Sequence, residues 1–260
     1  MSDYDFIIDG MRWSFSRLNS FHSCPYAWKK QYIDCESGEQ NAMAEYGTLM
    51  HQLLEGYAKG EIDKFELPMI FADKFDEYIP HEFPPNQYVD LRESYYKKGL
   101  AYLNDVNLEL ERYSILGVEK EVNFEIDGSD VVGYIDLLLQ DNDTGEITVF
   151  DHKSATLKFK RDGEISKTDA EHYDQFKKQL YLYSKAVLAK YGKVDYLAWN
   201  LFKQQTIHKI PFNYNEYEES LQWAADTIKE IKEEMLWLPK PDYFFCHNIC
   251  NYRDSCEYKD

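Results

Sequence analysis

No run of eighteen apolar residues occurs in this 260-residue chain, and its opening stretch, MSDYDFIIDG, lacks the basic and apolar regions of a secretory signal. Both absences predict a soluble, cytoplasmic protein with no membrane partner. Internal repeats and low-complexity tracts are also missing, which argues against solenoids and fibrous arrays. Positive charge is scarce: 29 Lys and Arg stand against 47 Asp and Glu, a net charge of −18. A surface coated in cations for nucleic acid is therefore excluded. Only five cysteines are present. That odd, small number in a cytosolic-looking chain argues against a disulfide scaffold and for thiols or metal ligation.

What is present is long enough to bury a sizeable core as one large domain, or a core with an appended subdomain. The cations that exist are unevenly placed. Residues 11–33 hold Arg12, Arg17, Lys29 and Lys30 and no acid, and residues 153–178 hold seven Lys or Arg against five acids. A local basic path of this kind can meet a phosphate backbone even on an acidic protein, with marked salt sensitivity.

The most informative stretch is Val131 to Lys153. Leu137–Leu139 and Ile147–Phe150 are apolar and partly β-branched, and the segment between them, Asp141-Asn142-Asp143-Thr144-Gly145-Glu146, is turn chemistry. A hairpin symmetric about that turn sets Gln140 opposite Ile147 and Asp136 opposite Asp151. Directly opposed side chains lie roughly 4.5 to 5.5 Å apart at Cβ. Carboxylates that close repel unless a cation separates them, and an oxygen-rich site of this kind suits Mg²⁺ or Mn²⁺. Lys153, two residues beyond Asp151, shares their face by strand alternation. An ammonium there can orient a water nucleophile and stabilise developing phosphoryl charge.

Around this hairpin the periodicity predicts helices and strands in turn. Ser14 and Ser16 offer caps for a helix toward Ile33, which Pro25 kinks or breaks at Cys24. Residues 45–59 form a helix whose face Gly47, His51, Glu55 is distinct from its apolar stripe, and a glycine inside a helix suggests close approach by something else. Residues 61–116 read as mostly helical. Val118–Ile126 alternates as a strand that completes a three-stranded meander across the turn at Asp127-Gly128. Residues 157–168 form a polar, basic loop, followed by a helix over 170–191 ended by Gly192, with Gln175, Gln179 and Tyr183 at successive i, i+4 positions. Strands over 194–202 and 206–212 and an acidic helix over 214–236 follow. The tail holds Cys246, Cys250 and Cys256. This C-x3-C-x5-C grouping needs a fourth ligand, with Cys24, Cys35 and His247 as candidates, and thiolates so spaced bind zinc or an iron–sulfur cluster.

In this order the motifs resemble the RecB-like branch of the PD-(D/E)XK nuclease superfamily, and within it the iron–sulfur proteins of Cas4 and AddB type. Gly47-x3-His51-x2-Leu54-Glu55 is similar to the first family motif, Gly133-x2-Asp136 to the second, Asp151-His152-Lys153 to the D/E-x-K third, and Gln179-x3-Tyr183 to the Q-x3-Y element. The resemblance implies an α/β fold with a restriction-endonuclease-like core, a central mixed sheet flanked by helices, carrying a helical insertion and an iron–sulfur clasp between the two ends. It implies one nuclease domain over 1–260, with N-terminal helices at 11–60, the insertion at 61–116, the core at 117–236 and the cysteine-rich tail at 237–260. By that analogy His51, Asp136, Asp151 and the backbone carbonyl of His152 ligate Mg²⁺ or Mn²⁺, Lys153 activates the attacking water, and Gln179 and Tyr183 position DNA. Cys24, Cys246, Cys250 and Cys256 hold a [4Fe–4S] cluster, with Cys35 a substitute or bystander because related proteins more often have two residues between the first tail cysteines. The implied activity is deoxyribonuclease, foremost exonuclease action on single strands or ends, in recombination and repair, phage DNA metabolism or CRISPR adaptation, alone or with a helicase or another partner protein. The competing expectation is a catalytically silent iron–sulfur or zinc domain that binds DNA or a partner.

Overall fold

The computed structural model describes residues 4–161 and 163–259. In chain order the helices and strands are α1 (Asp5–Asp9), α2 (Phe15–Ser23), α3 (Pro25–Tyr32), α4 (Ala42–Ala58), α5 (Leu67–Tyr78), α6 (Leu91–Asn104), β1 (Tyr113–Ile126), β2 (Ser129–Asp141), β3 (Ile147–Lys153), α7 (Ala170–Tyr191), β4 (Tyr196–Leu201), β5 (Thr206–Pro211) and α8 (Tyr214–Glu233). The strands form one five-stranded sheet in the order β1-β2-β3-β4-β5. Asp127 and Gly128, both at positive φ, make the two-residue turn between β1 and β2. β2 and β3 pair antiparallel from Leu137↔Phe150 to Gln140↔Ile147, the register predicted from the symmetric turn. β3 and β4 are parallel, with α7 as the crossover, and β4 and β5 are antiparallel. The sheet is therefore mixed and flanked by helices, as expected of a restriction-endonuclease-like core. Among the described residues no helix is long and apolar enough to cross a membrane.

The chain divides into two compact units. One comprises Ala42–Glu121 and Tyr134–Asn213. Here β3 is covered on both faces: every residue from Ile147 to His152 is buried, as suits a central strand. Leu137, Leu139, Phe150 and Ala198 share one face and pack with Tyr46, Leu49 and Met50 of α4, Phe71 and Phe75 of α5 and Tyr102 of α6. The opposite face meets α7, whose Phe176, Leu180, Tyr183 and Val187 are buried. Gly192 ends α7 at φ 77, a left-handed cap that suits glycine.

The other unit comprises Met1–Asn41, Val122–Gly133 and Tyr214–Asp260. Its centre is aromatic: Trp28 stacks on Trp237 at 5.2 Å with planes 5° apart, and Phe21 meets both rings edge-on. Of the kink or break expected at Pro25 between Ser14 and Ile33, the structure shows a break, with two separate helices. Cys24 is extended between them and Pro25 starts α3, where its missing N–H costs no hydrogen bond. Residues 36–41 are tied to the tail by backbone contacts, Glu39 N to Asn251 O at 2.8 Å, Tyr252 hydroxyl to Glu36 O at 3.0 Å and Asn41 Nδ2 to Ile249 O at 3.0 Å.

Leu180 is fully buried on the inner face of α7. Leu180→Ala leaves a cavity between helix and sheet and is expected to cost about 2 to 5 kcal/mol, whereas the exposed Lys190→Ala stays within about 0.5 kcal/mol. Urea unfolding of the two variants checks the difference.

Candidate functional site

The site grows out of the β2–β3 register. One step past the pair Leu137↔Phe150 come Asp136 and Asp151, 8% and 2% exposed. Asp136 Oδ2 accepts the backbone N–H of His152 at 2.7 Å. Asp151 Oδ1 accepts from Gln179 Nε2 at 3.1 Å. Its Oδ2 is fully buried and meets the Lys153 ammonium at 2.9 Å, off the direction of a good hydrogen bond. Burial, and then the charge of Asp151, raise the Asp136 carboxyl well above its usual range, against the opposing His152 N–H and Lys153. Two carboxylates in one dry pocket cannot both ionise cheaply without a cation.

α4 contributes His51. Its Nδ1 lies 3.4 Å from Asp136 Oδ2. Burial, reinforced by Lys153, holds its pKa below that of a free imidazole, so the ring is available as a neutral donor to metal. Gly47, one turn earlier, faces Ser154: a methyl there would meet Ser154 Oγ at 3.7 Å, an ordinary contact. The close approach predicted at this glycine is therefore not a tight one.

A residue that periodicity does not predict completes the cluster. Glu119 on β1 brings a carboxylate oxygen within 4.8 Å of ligand atoms on both His51 and Asp136, the one such grouping among the described residues. Its backbone sits at φ 44, the left-handed region, which breaks the strict alternation of the strand. Burial and the neighbouring Glu55 and Asp151 raise its pKa. The sequence signal was a third acid upstream on the meander, invisible without the kink that turns it inward.

Behind the site, His152 is buried and points to the α4–α6 side of the sheet. Asn200 Nδ2 donates to His152 Nδ1 at 2.9 Å and to the Tyr102 hydroxyl at 2.6 Å, which fixes the proton of His152 on Nε2. α7 closes the other side. Gln179 holds Lys153 with its Oε1 at 2.8 Å and Asp151 with its Nε2, so one amide fixes the acid–lysine pair. Tyr183 is 5% exposed, and its hydroxyl is met by Gln179 and the Tyr134 backbone. Of the two residues expected to position DNA, then, one is buried and the other has both polar ends engaged.

The sequence matches the profile of the PD-(D/E)XK nuclease superfamily over residues 12–257. The chain belongs to this superfamily. No curated protein sequence matches it. Among solved structures the fold is similar to the crystal structure of "Putative exonuclease" from Eubacterium rectale, at 14% identity and a TM-score of 0.55, covering 99% of this chain and 92% of that one. PD-(D/E)XK nucleases use divalent metals, and the His51, Glu119, Asp136 cluster is a carboxylate–imidazole site of suitable composition.

Cys24, Cys246, Cys250 and Cys256 line one pocket together with Lys30 and Tyr252. Cys35 is exposed and outside it, and His247 instead packs on Tyr243 at 4.4 Å. Among the described residues no three of the cysteines bring their sulfurs within 4.8 Å of one another. The early basic segment offers less free charge than its composition suggests. Lys29 pairs with Asp34, Lys30 is 8% exposed and pairs with Glu36, and the Arg17 guanidinium lies over the Tyr32 ring.

The raised Asp136 carboxyl has a consequence for stability. The folded protein keeps a proton that the unfolded chain releases above the ordinary value of 3.8. Stability of metal-free protein therefore falls as pH rises through the window from that value to the raised one. Asp136→Asn removes the fall, so the metal-free variant should melt higher than the parent at neutral pH, yet gain less from added Mn²⁺. Melting curves with chelator and with Mn²⁺ across this pH range check both signs.

Proposed function

We propose that the protein is a metal-dependent deoxyribonuclease acting as an exonuclease on single strands or ends. The observation that carries this reading is the buried pair Asp136 and Asp151 with the Lys153 ammonium at 2.9 Å from Asp151. His51, Glu119, Asp136 and Asp151 would hold Mg²⁺ or Mn²⁺, with the His152 carbonyl as a further donor. Asp151 Oδ2, buried without a hydrogen bond and met only by the Lys153 charge, and the elevated Asp136 carboxyl are what a carboxylate site without its cation should show. When bound, such a metal polarises a phosphoryl oxygen and lowers the pKa of a water.

The protein's own groups divide the remaining work. Gln179 and Asp151 fix the Lys153 Nζ, so its charge is aimed before substrate arrives and needs no reorganisation during attack. Lys153 then orients the attacking water and offsets charge growing on the phosphoryl oxygens. Phe176, whose ring lies 5.1 Å from the same ammonium, shields that side from solvent. His152 carries the local backbone: its N–H is given to Asp136, and its buried ring, held by Asn200 and Tyr102, locks the peptide that bears the proposed carbonyl ligand.

Cys24, Cys246, Cys250 and Cys256 would hold a [4Fe–4S] cluster. What supports this is the pocket that the four cysteines line together. Cys250 Sγ already accepts the Tyr252 N–H at 3.4 Å, while burial holds its thiol pKa up in the absence of a metal.

End-labelled and circular DNA, single-stranded and duplex, digested with Mg²⁺, Mn²⁺ or chelator, tests the reading. Asp151→Ala and Lys153→Ala should each keep their circular-dichroism spectrum and lose roughly 10²-fold or more of the metal-dependent rate. Unchanged cleavage by either variant removes the assignment, and binding without nucleotide release would leave a silent binding domain. For the cysteines, anaerobically purified protein should be brown and contain iron and sulfide. Cys24→Ala should lose the colour and Cys35→Ala keep it; colourless protein containing zinc overturns the cluster.

A further inference from the structure

Segment 157–168, which follows the proposed catalytic lysine, was expected as a basic loop, and the structure makes it a built element. Phe159 and Ile165 form an antiparallel bridge, Lys160 N donates to Glu164 O at 2.7 Å and Ser166 N to Lys158 O at 2.8 Å. Its base is clamped from both sides. The Gln204 amide accepts from Leu157 N at 2.6 Å and donates to Leu157 O at 2.9 Å, as a neighbouring strand would, and Asp169 Oδ2 accepts from Lys158 N at 2.7 Å. Leu157 is buried beneath, while Lys158, Lys160, Arg161 and Lys167 are exposed. Lys160 is ion-paired with Glu164 at 2.7 Å, and by composition the segment holds four cations to two acids in an otherwise acidic chain.

Phe159 is the unusual member. It is 37% exposed, and its ring packs on His208 at 5.0 Å. His208 in turn accepts support from the Tyr173 hydroxyl at 2.9 Å and stacks against Trp199. The pairings Asp151↔Trp199 and Trp199↔His208 place these side chains in one row across the sheet. Strands are about 4.8 Å apart, so His208 lies roughly 10 Å from Asp151 along that row. This is the length of about three stacked nucleotides at 3.4 Å each. The Phe159 ring, centred 5.0 Å from that of His208 at the end of this row, thus stands within roughly 15 Å of the proposed reacting centre, about three to four stacked nucleotides.

We propose that this hairpin is a single-strand binding element, in which Phe159 stacks a nucleobase about three to four nucleotides from the cleaved bond and Lys158, Arg161 and Lys167 meet the flanking phosphates. Stacking on an aromatic ring accepts any base, and neighbouring cations supply the sequence-independent attraction of a phosphate chain. Paired bases present no free face to Phe159, so the element favours unpaired strands. The proposal rests on the nuclease reading for its substrate class and on the hairpin for everything else.

The test is fluorescence anisotropy of a labelled oligo(dT) and of a blunt duplex with the full chain, using Ca²⁺ in place of Mg²⁺ or Mn²⁺, followed by Mn²⁺ digestion of the same oligonucleotide. Phe159→Ala should weaken single-strand binding roughly 5- to 150-fold, the range that loss of one base–aromatic stack spans. Phe159→Trp should restore it, and duplex binding should move less than about twofold. An abasic unit walked along the strand should weaken the parent at one position near the third or fourth nucleotide and leave Phe159→Ala indifferent there. Equal single-strand affinity for parent and Phe159→Ala, or equal losses on both DNA forms, overturns the proposal. Phe159-dependent binding without digestion defeats the nuclease reading alone, and digestion indifferent to Phe159 defeats this one alone.

Discussion

Repulsion between two carboxylates confined to one dry pocket is the constraint that the surrounding structure answers. The hairpin register sets Asp136 and Asp151 at opposed positions, and both are buried. Each is met by a different device. Asp136 takes a backbone N–H and tends to keep a proton, whereas Asp151 is neutralised by Lys153 and fixed by Gln179. The two halves are unequal, so the pocket has one carboxylate already committed to the lysine and one still seeking a partner. His51 and Glu119 gather on the uncommitted side.

Strand alternation explains how so short a motif carries so many duties. Along β3 the odd positions Asp151 and Lys153 face α7, and the even position His152 faces α4–α6. The middle residue of Asp-x-Lys therefore cannot touch its neighbours' side chains, and it works through its peptide instead. Its N–H goes to Asp136, while the imidazole is buried against Asn200 and Tyr102. A buried imidazole with an unsatisfied nitrogen would be costly, roughly 1 to 3 kcal/mol. Asn200 removes that cost, and this accounts for a polar side chain in the apolar run of β4.

Much of this was legible from residue order alone. The symmetric turn gave the β2–β3 register, and the i, i+4 recurrence with a terminal Gly192 gave α7 to within its observed ends, because both rest on local periodicity and turn chemistry. The break at Cys24 followed from Pro25. What stayed hidden was non-local or non-periodic. Glu119 joins the cluster through a positive-φ kink that alternation does not foresee. Lys29 and Lys30 counted as a basic segment, yet their partners Asp34 and Glu36 lie just beyond the segment over which the charge was summed. The grouping of Cys24 with the tail cysteines had no spacing rule behind it and came from family resemblance, since the residues between them number in the hundreds.

These pairings decide where an acidic nuclease can attract a polyanion. At −18 the long-range field repels nucleic acid, and it is screened beyond about 8 to 10 Å at physiological salt. Attraction must therefore be local. With Lys29 and Lys30 held by their own acids, and Lys160 by Glu164, the exposed Lys158, Arg161 and Lys167 of the hairpin after Lys153 carry the local attraction, on the same compact unit as the carboxylates. Repulsion elsewhere and attraction at one element together disfavour binding along the side of a duplex. They favour a flexible strand that can reach the pocket while the rest of its charge stays in solvent.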